Sequence, residues 1–122
     1  MYRVSDEQFE EILNKSLLSL PKQHVESLKN VALIVEELPS EEQRVKLKLA
    51  GNQTLLGLYE GVPLSQRQGT TKLLPDKITL FKLPIEAHSN SLAELKEQVR
   101  HTLWHEIAHY YGLDHDAIRS LE

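Results

Sequence analysis

The chain contains no cysteine, which removes disulfides, thiolate zinc sites, iron–sulfur clusters and cysteine nucleophiles together. Any metal bound here must take its ligands from histidine, carboxylate or main-chain oxygen. There is no block of consecutive basic residues, and 14 lysines and arginines stand against 18 acidic residues for a net charge of −4. The long-range field therefore does not recruit a phosphate backbone, and no nucleic-acid partner is expected. No stretch approaches the ~18 apolar residues of a membrane span, so no membrane partner is expected either. The opening residues MYRVSDEQFEE are acidic, without the basic start and apolar run of a secretory signal, which points to a cytoplasmic location. Repeats, low-complexity tracts and linkers are absent. What remains is ordinary for a globular protein: 122 residues, 40% hydrophobic and 26% charged, the size and composition of one domain spanning 1–122.

Ser5 followed by Gln8 reads as a capping box, and Phe9, Ile12, Leu13, Leu17 and Leu20 recur at helical spacing until Pro21, which predicts a helix over 6–19. A shorter helical stretch follows over 21–29. VALIVEEL at 31–38 reads as a strand. Ser40 and Gln43 mark another helix start, with Gly51 as its stop, although VKLKL would also alternate as a strand. Residues 54–59 read as a second strand, 60–75 as a long loop of the kind that often carries function, and ITLFKL at 78–83 as a third strand ended by Pro84. From about Ser91, Leu92, Leu95, Val99, Leu103 and Ile107 hold three-and-four spacing through to Gly112, giving the longest helix. The expected class is α+β, a small sheet packed with helices.

That last helix carries the chemistry. Residues 105–115 read HEIAHYYGLDH. His105 and His109 are four apart, so on a helix turning about 100° per residue they leave one face a single turn apart and can reach one ion. Glu106 lies one step around, where its carboxylate can touch a water on the metal without ligating, as a general base does. Gly112 suits a left-handed helix stop. After that turn His115 can supply a third nitrogen, leaving a fourth tetrahedral position open, as a catalytic zinc site requires. Asp114 and Asp116 flank His115 and offer carboxylate oxygens as alternatives for the third ligand, or as groups that orient a histidine. An HExxH arises by accident in roughly a few chains per thousand of this length, and the added glycine and histidine make chance rarer still.

His101 extends the row, but eight residues of helix span ~12 Å, too far for its two ends to share one ion with bonds near 2 Å, so His101 reads as a rim residue. His24 and His88 lie outside the motif and read as surface histidines. Trp104, Tyr110 and Tyr111 neighbour the ligands and read first as core packing.

The pattern HExxHxxGxxH, carried by His105, Glu106, His109, Gly112 and His115, resembles that of the metzincin zinc peptidases. Those proteins place a methionine turn after the third histidine, whereas the sole methionine here is Met1. A wider resemblance is to the short bacterial zincin-like proteins often called minimal metalloproteases, carried by VALIVEELP at 31–39, LLGLYEGVPL at 55–64, LPDKITLFKLPIE at 74–86 and VRHTLWHEIAHYYGLD at 99–114. It implies a compact α+β zincin-like fold, a cytoplasmic bacterial protein and a zinc helix built on His105, Glu106 and His109. The position of His115 is often aspartate in that family. HxxxHxxGxDH also resembles the small bacterial metal-dependent endoribonucleases of ribosomal RNA maturation. Those usually have glycine after the first histidine and a basic groove, where this chain has Glu106 and net −4.

The reading that follows is a single-domain zinc metallopeptidase-like hydrolase acting on a peptide or protein substrate. His105, His109 and His115 hold Zn²⁺ and Glu106 is the general base. ITLFKL at 78–83 or LLGLY at 55–59 would form the strand edge that pairs with substrate. The alternatives are a metal-dependent endoribonuclease and a catalytically silent metal-binding module.

Overall fold

The computed structural model describes residues 1–26, 28, 30–51, 53–61 and 76–112. The N-terminal spacing produces α1 (Asp6–Ser19), whose capping box forms as expected: Ser5 Oγ accepts from Gln8 N–H at 3.1 Å and Gln8 Oε1 accepts from Ser5 N–H at 2.9 Å. Phe9, Ile12 and Leu13 are buried on its inner face. A short α2 (Lys22–Glu26) leads to β1 (Val31–Glu36), and α3 (Glu41–Lys46) carries a second capping box between Ser40 and Gln43. That helix ends well before Gly51, because Arg44 turns its guanidinium onto the carbonyls of Ala50 and Gln53 at 2.6 and 2.9 Å and folds the following chain back.

β2 (Gly57–Glu60) and β3 (Asp76–Phe81) complete a three-stranded sheet in the order β1-β3-β2, with β1 parallel and β2 antiparallel to β3. The third strand is thus central among the described residues and cannot serve as an edge. Its residues are almost all buried, consistent with cover on both faces. β1 and β2 are the two outer strands among the described residues.

The strand ends at Phe81, and the run expected to continue through Leu83 turns instead into α4 (Lys82–Ala87). Pro84 sits inside the first turn of that helix, where a missing N–H removes no intrahelical bond. α4 holds the beginning of the chain. Buried Glu86 accepts from Val4 N–H at 2.8 Å, its carbonyl accepts from Tyr2 N–H at 3.1 Å, and Lys82 meets Asp6 at 2.7 Å.

α5 (Leu92–Tyr111) is the longest element, capped by Ser91 at its start and by Gly112 at φ 79°, ψ 22° at its end. The glycine takes the left-handed conformation its position calls for. Leu95, Val99, Leu103 and Ile107 are fully buried and meet Phe9, Ile12 and Leu13 of α1 together with Ile78 and Leu80 of β3 and Ile85 of α4 in one core.

The approach of α5 to β2 depends on Gly57. A Cβ there would lie 2.6 Å from Thr102 Cγ2, 3.2 Å from the Thr79 carbonyl and 3.3 Å from Glu106 Cγ. Glycine inside a strand marks such a close approach. We expect Gly57→Ala to lower stability by about 1–3 kcal/mol, the usual range for overpacking. Adding Thr102→Ser, which deletes the nearest methyl, should recover part of that loss. Urea unfolding of the single and double variants measures both effects, and equal stability of Gly57→Ala and parent would refute the packing argument.

Candidate metal site on the long helix

Helical periodicity sets the site. With the core stripe of α5 turned inward, His101, His105 and His109 form a row on the opposite side, with His101 exposed and the other two half-buried. The rings of His105 and His109 have centroids 4.6 Å apart and an interplanar angle of 49°. Imidazoles that each place a nitrogen ~2.0–2.1 Å from one tetrahedral ion have ring centres on the order of 5 Å apart, so this pair fits a shared zinc. His101 stacks on His105 at 6.5 Å and stands one turn away at the solvent rim. Among the described residues no three histidines, aspartates or glutamates gather as a complete metal cluster. His115, Asp114 and Asp116, the candidates for the third ligand, lie outside the described residues, as do residues 62–75 of the expected loop.

Glu106 is 6% exposed, on the flank of the row that faces β2. The main-chain N–H of Tyr59 donates to its carboxylate. The strand geometry makes that donor accessible: Phe81 N–H donates to the Leu56 carbonyl at 2.9 Å, so by antiparallel alternation Gly57 and Tyr59 turn their main-chain groups to the outer side of β2. Burial pushes the Glu106 carboxyl up from the ordinary 4.5 to about 7, and the Tyr59 hydrogen bond opposes that rise. His109 Nδ1 lies 3.7 Å from Glu106 Oε1, so the opposite ring nitrogen is directed away from that carboxylate.

The aromatic neighbours divide. Tyr110 is buried at 1% exposure and meets Tyr59 edge-on at 6.2 Å, a core role as expected. Tyr111 donates its hydroxyl to the His24 carbonyl at 2.6 Å, tying α2 to the end of α5. His88 is exposed, with Nδ1 2.9 Å from the Pro84 carbonyl. His24 is not an isolated surface residue: its ring packs 5.2 Å from Trp104 and 6.0 Å from Tyr111. Local sequence carries no signal for that contact. The glycine in LLGLY was the available signal for Gly57 and Tyr59.

A helix bearing two half-buried imidazoles, beside a buried carboxylate held by an outer strand, is the arrangement of a zincin. A family model described as zincin-like metallopeptidase matches residues 28–122, and the chain belongs to that family. Among solved structures, a conserved hypothetical protein from Thermus thermophilus shares the fold, with a TM-score of 0.59 and 16% identity over 97% of this chain and 100% of that one. A search of the curated proteins gives no match. Among the described residues no helix is long and apolar enough to cross a membrane.

The raised proton affinity of Glu106 has a measurable sign. Its folded-state value lies above the unfolded one, so the metal-stripped protein loses stability as pH rises from about 4.5 to about 7. Glu106→Gln removes that ionisation. In the presence of a chelator the variant should therefore be more stable than the parent at pH 8, by on the order of 2–3 kcal/mol, with the advantage vanishing near pH 4. Urea unfolding at the two pH values measures it, and a pH-independent difference would contradict the assignment.

Proposed function

We propose that the chain is a cytoplasmic bacterial zinc metallopeptidase that acts as one domain over residues 1–122 and hydrolyses peptide bonds. The observation that carries this reading is the pairing of His105 and His109 on one face of α5 with a buried carboxylate, Glu106, held beside them by β2. His105 and His109 would hold the zinc, and His115 completes the ligand set by the spacing of the motif. Zinc bound there supplies Lewis acidity, polarising a carbonyl and making water available as a nucleophile near neutral pH.

The rest is done by the chain's own groups. Glu106 takes a proton from the attacking water and returns it to the leaving amine. Burial raises its proton affinity, which favours taking the proton, and the positive charge of a bound zinc would draw that affinity back down, which favours passing the proton on. The Tyr59 N–H keeps the carboxylate beside the histidine pair rather than in solvent. β2 offers an outer strand for an extended peptide, which would lie along the helix face with its scissile bond near His105 and His109. The negative net charge and the glutamate after the first histidine favour a peptide over an RNA substrate.

Purified protein should carry about one zinc per chain, and His105→Ala or His109→Ala should abolish it. His115→Ala should weaken binding, whereas His115→Asp should retain much of it. Metal analysis of these four variants checks the ligand set, and near-full occupancy in His105→Ala or His109→Ala would refute it.

Glu106→Gln should keep the zinc while losing peptide hydrolysis, and zinc-directed hydroxamates should inhibit the parent. Activity of that variant equal to the parent's would remove Glu106 as the base. Metal-dependent cutting of structured RNA that disappears in His105→Ala would replace the peptidase reading with the endoribonuclease one. Zinc binding without hydrolysis of either substrate would leave the metal-binding module.

A further inference from the structure

The histidine row has two flanks. At about 100° per residue, Thr102 and Glu106 fall to the side of the row that meets β2, while Trp104, Ala108 and Tyr111 fall to the other. On that second flank a cavity of about 340 Å³ opens between the end of α1, α2 and α5. Leu20, Pro21 and His24 form one wall, and Arg100, His101 and Trp104 the other.

We propose that this cavity receives an uncharged aromatic or large aliphatic side chain of a peptide lying across His105 and His109. The proposal rests on the metallopeptidase reading and deepens it by assigning a side-chain preference.

Continuity with the metal face is the first argument. His101 lines the cavity and stacks on His105, so an occupant there lies within one helical turn of the metal pair. Charge is the second. Glu97 also lines the cavity, and Arg100 meets it at 3.6 Å, so the guanidinium and carboxylate neutralise one another and neither sign of side chain is selected. Size and surface supply the third. The volume sits at the low end of the ~300–1,000 Å³ seen for ligand pockets, room for one large side chain. Its apolar walls are Leu20, Pro21 and the indole of Trp104, against which the His24 ring tilts at 55°. Aromatic and branched aliphatic side chains gain most from such a surface.

Trp104 is the single tryptophan of the chain and lines the cavity, so its fluorescence reports occupancy directly. The test titrates blocked pentapeptides of the form acetyl-Gly-Gly-X-Gly-Gly-amide, with X as Phe, Leu, Ala, Asp or Lys, into full-length protein carrying Glu106→Gln, which prevents turnover. Both zinc-loaded and metal-stripped samples are used. The Phe and Leu peptides should shift Trp104 emission and bind at least about tenfold tighter than the other three. That preference should persist without metal, because the cavity walls contain no proposed ligand.

Pro21→Asp, a change at an exposed position just before α2 that puts a carboxylate on the apolar wall, should reduce the preference to less than about threefold, while Arg100→Lys, which keeps the charge opposite Glu97, should leave it intact. Circular dichroism and zinc content confirm that both variants remain folded. The proposal is overturned if no peptide binds, if all five bind equally, or if Asp or Lys is preferred. It is equally overturned if the preference survives Pro21→Asp or Trp104 emission does not respond. Failure to load zinc alongside an intact Phe and Leu preference would instead defeat the metallopeptidase reading and leave the cavity assignment standing.

Discussion

The close approach of α5 to β2 at Gly57 governs the geometry of everything around the metal face. Because no Cβ intervenes, Thr102 and Glu106 lie directly against the strand, and the outward-turned N–H of Tyr59 reaches the glutamate. A carboxylate at this depth is disfavoured by lost hydration, and one main-chain donor recovers part of what burial removes. In the proposed hydrolysis, the same packing that destabilises the charged form would favour the carboxylate taking a proton. Local instability of this kind is common where chemistry is done.

The orientation of the histidines follows from the opposite side of the same helix. Leu95, Val99, Leu103 and Ile107 lock into α1 and the sheet, which fixes the rotation of α5 about its axis. Once that stripe faces the core, the row from His101 to His109 has only one direction to take. α1 is itself held at its start: the capping box fixes the first turn, and the bonds from Val4 and Tyr2 to Glu86 anchor the segment before it.

α2 closes the second flank. It is short, and none of its described side chains is fully buried, so its position depends on partial contacts that include Val25 against the core, the Tyr111 hydroxyl on the His24 carbonyl and the His24 ring against Trp104. The metal face therefore lies between a strand that offers main-chain hydrogen bonds and a helix pair that offers an apolar cavity. In the proposed peptidase, those two flanks would divide recognition between backbone and side chain, as extended-peptide sites generally do. The chain belongs to the zincin-like family and shares its neighbour's fold, and under the proposed reading the residues on the two flanks would supply the selectivity.

The sequence by itself determined the features that depend on short-range periodicity. α1 and α5 were legible from apolar spacing and from capping residues, and so were the left-handed stop at Gly112 and the shared face of His105 and His109, because helical phase is set by chain geometry over a few residues. Strand order, burial and contacts between distant segments were decided by tertiary structure. Nothing local distinguishes ITLFKL as the central strand of the described sheet from LLGLY as one of its two outer strands. The turn of Lys82 and Leu83 into α4 depends on Glu86 and Lys82 finding Val4 and Asp6 at the far end of the chain. The depth of Glu106 and the packing of His24 on Trp104 arise only when separate elements meet, since desolvation is a property of what surrounds a side chain and not of its neighbours in sequence.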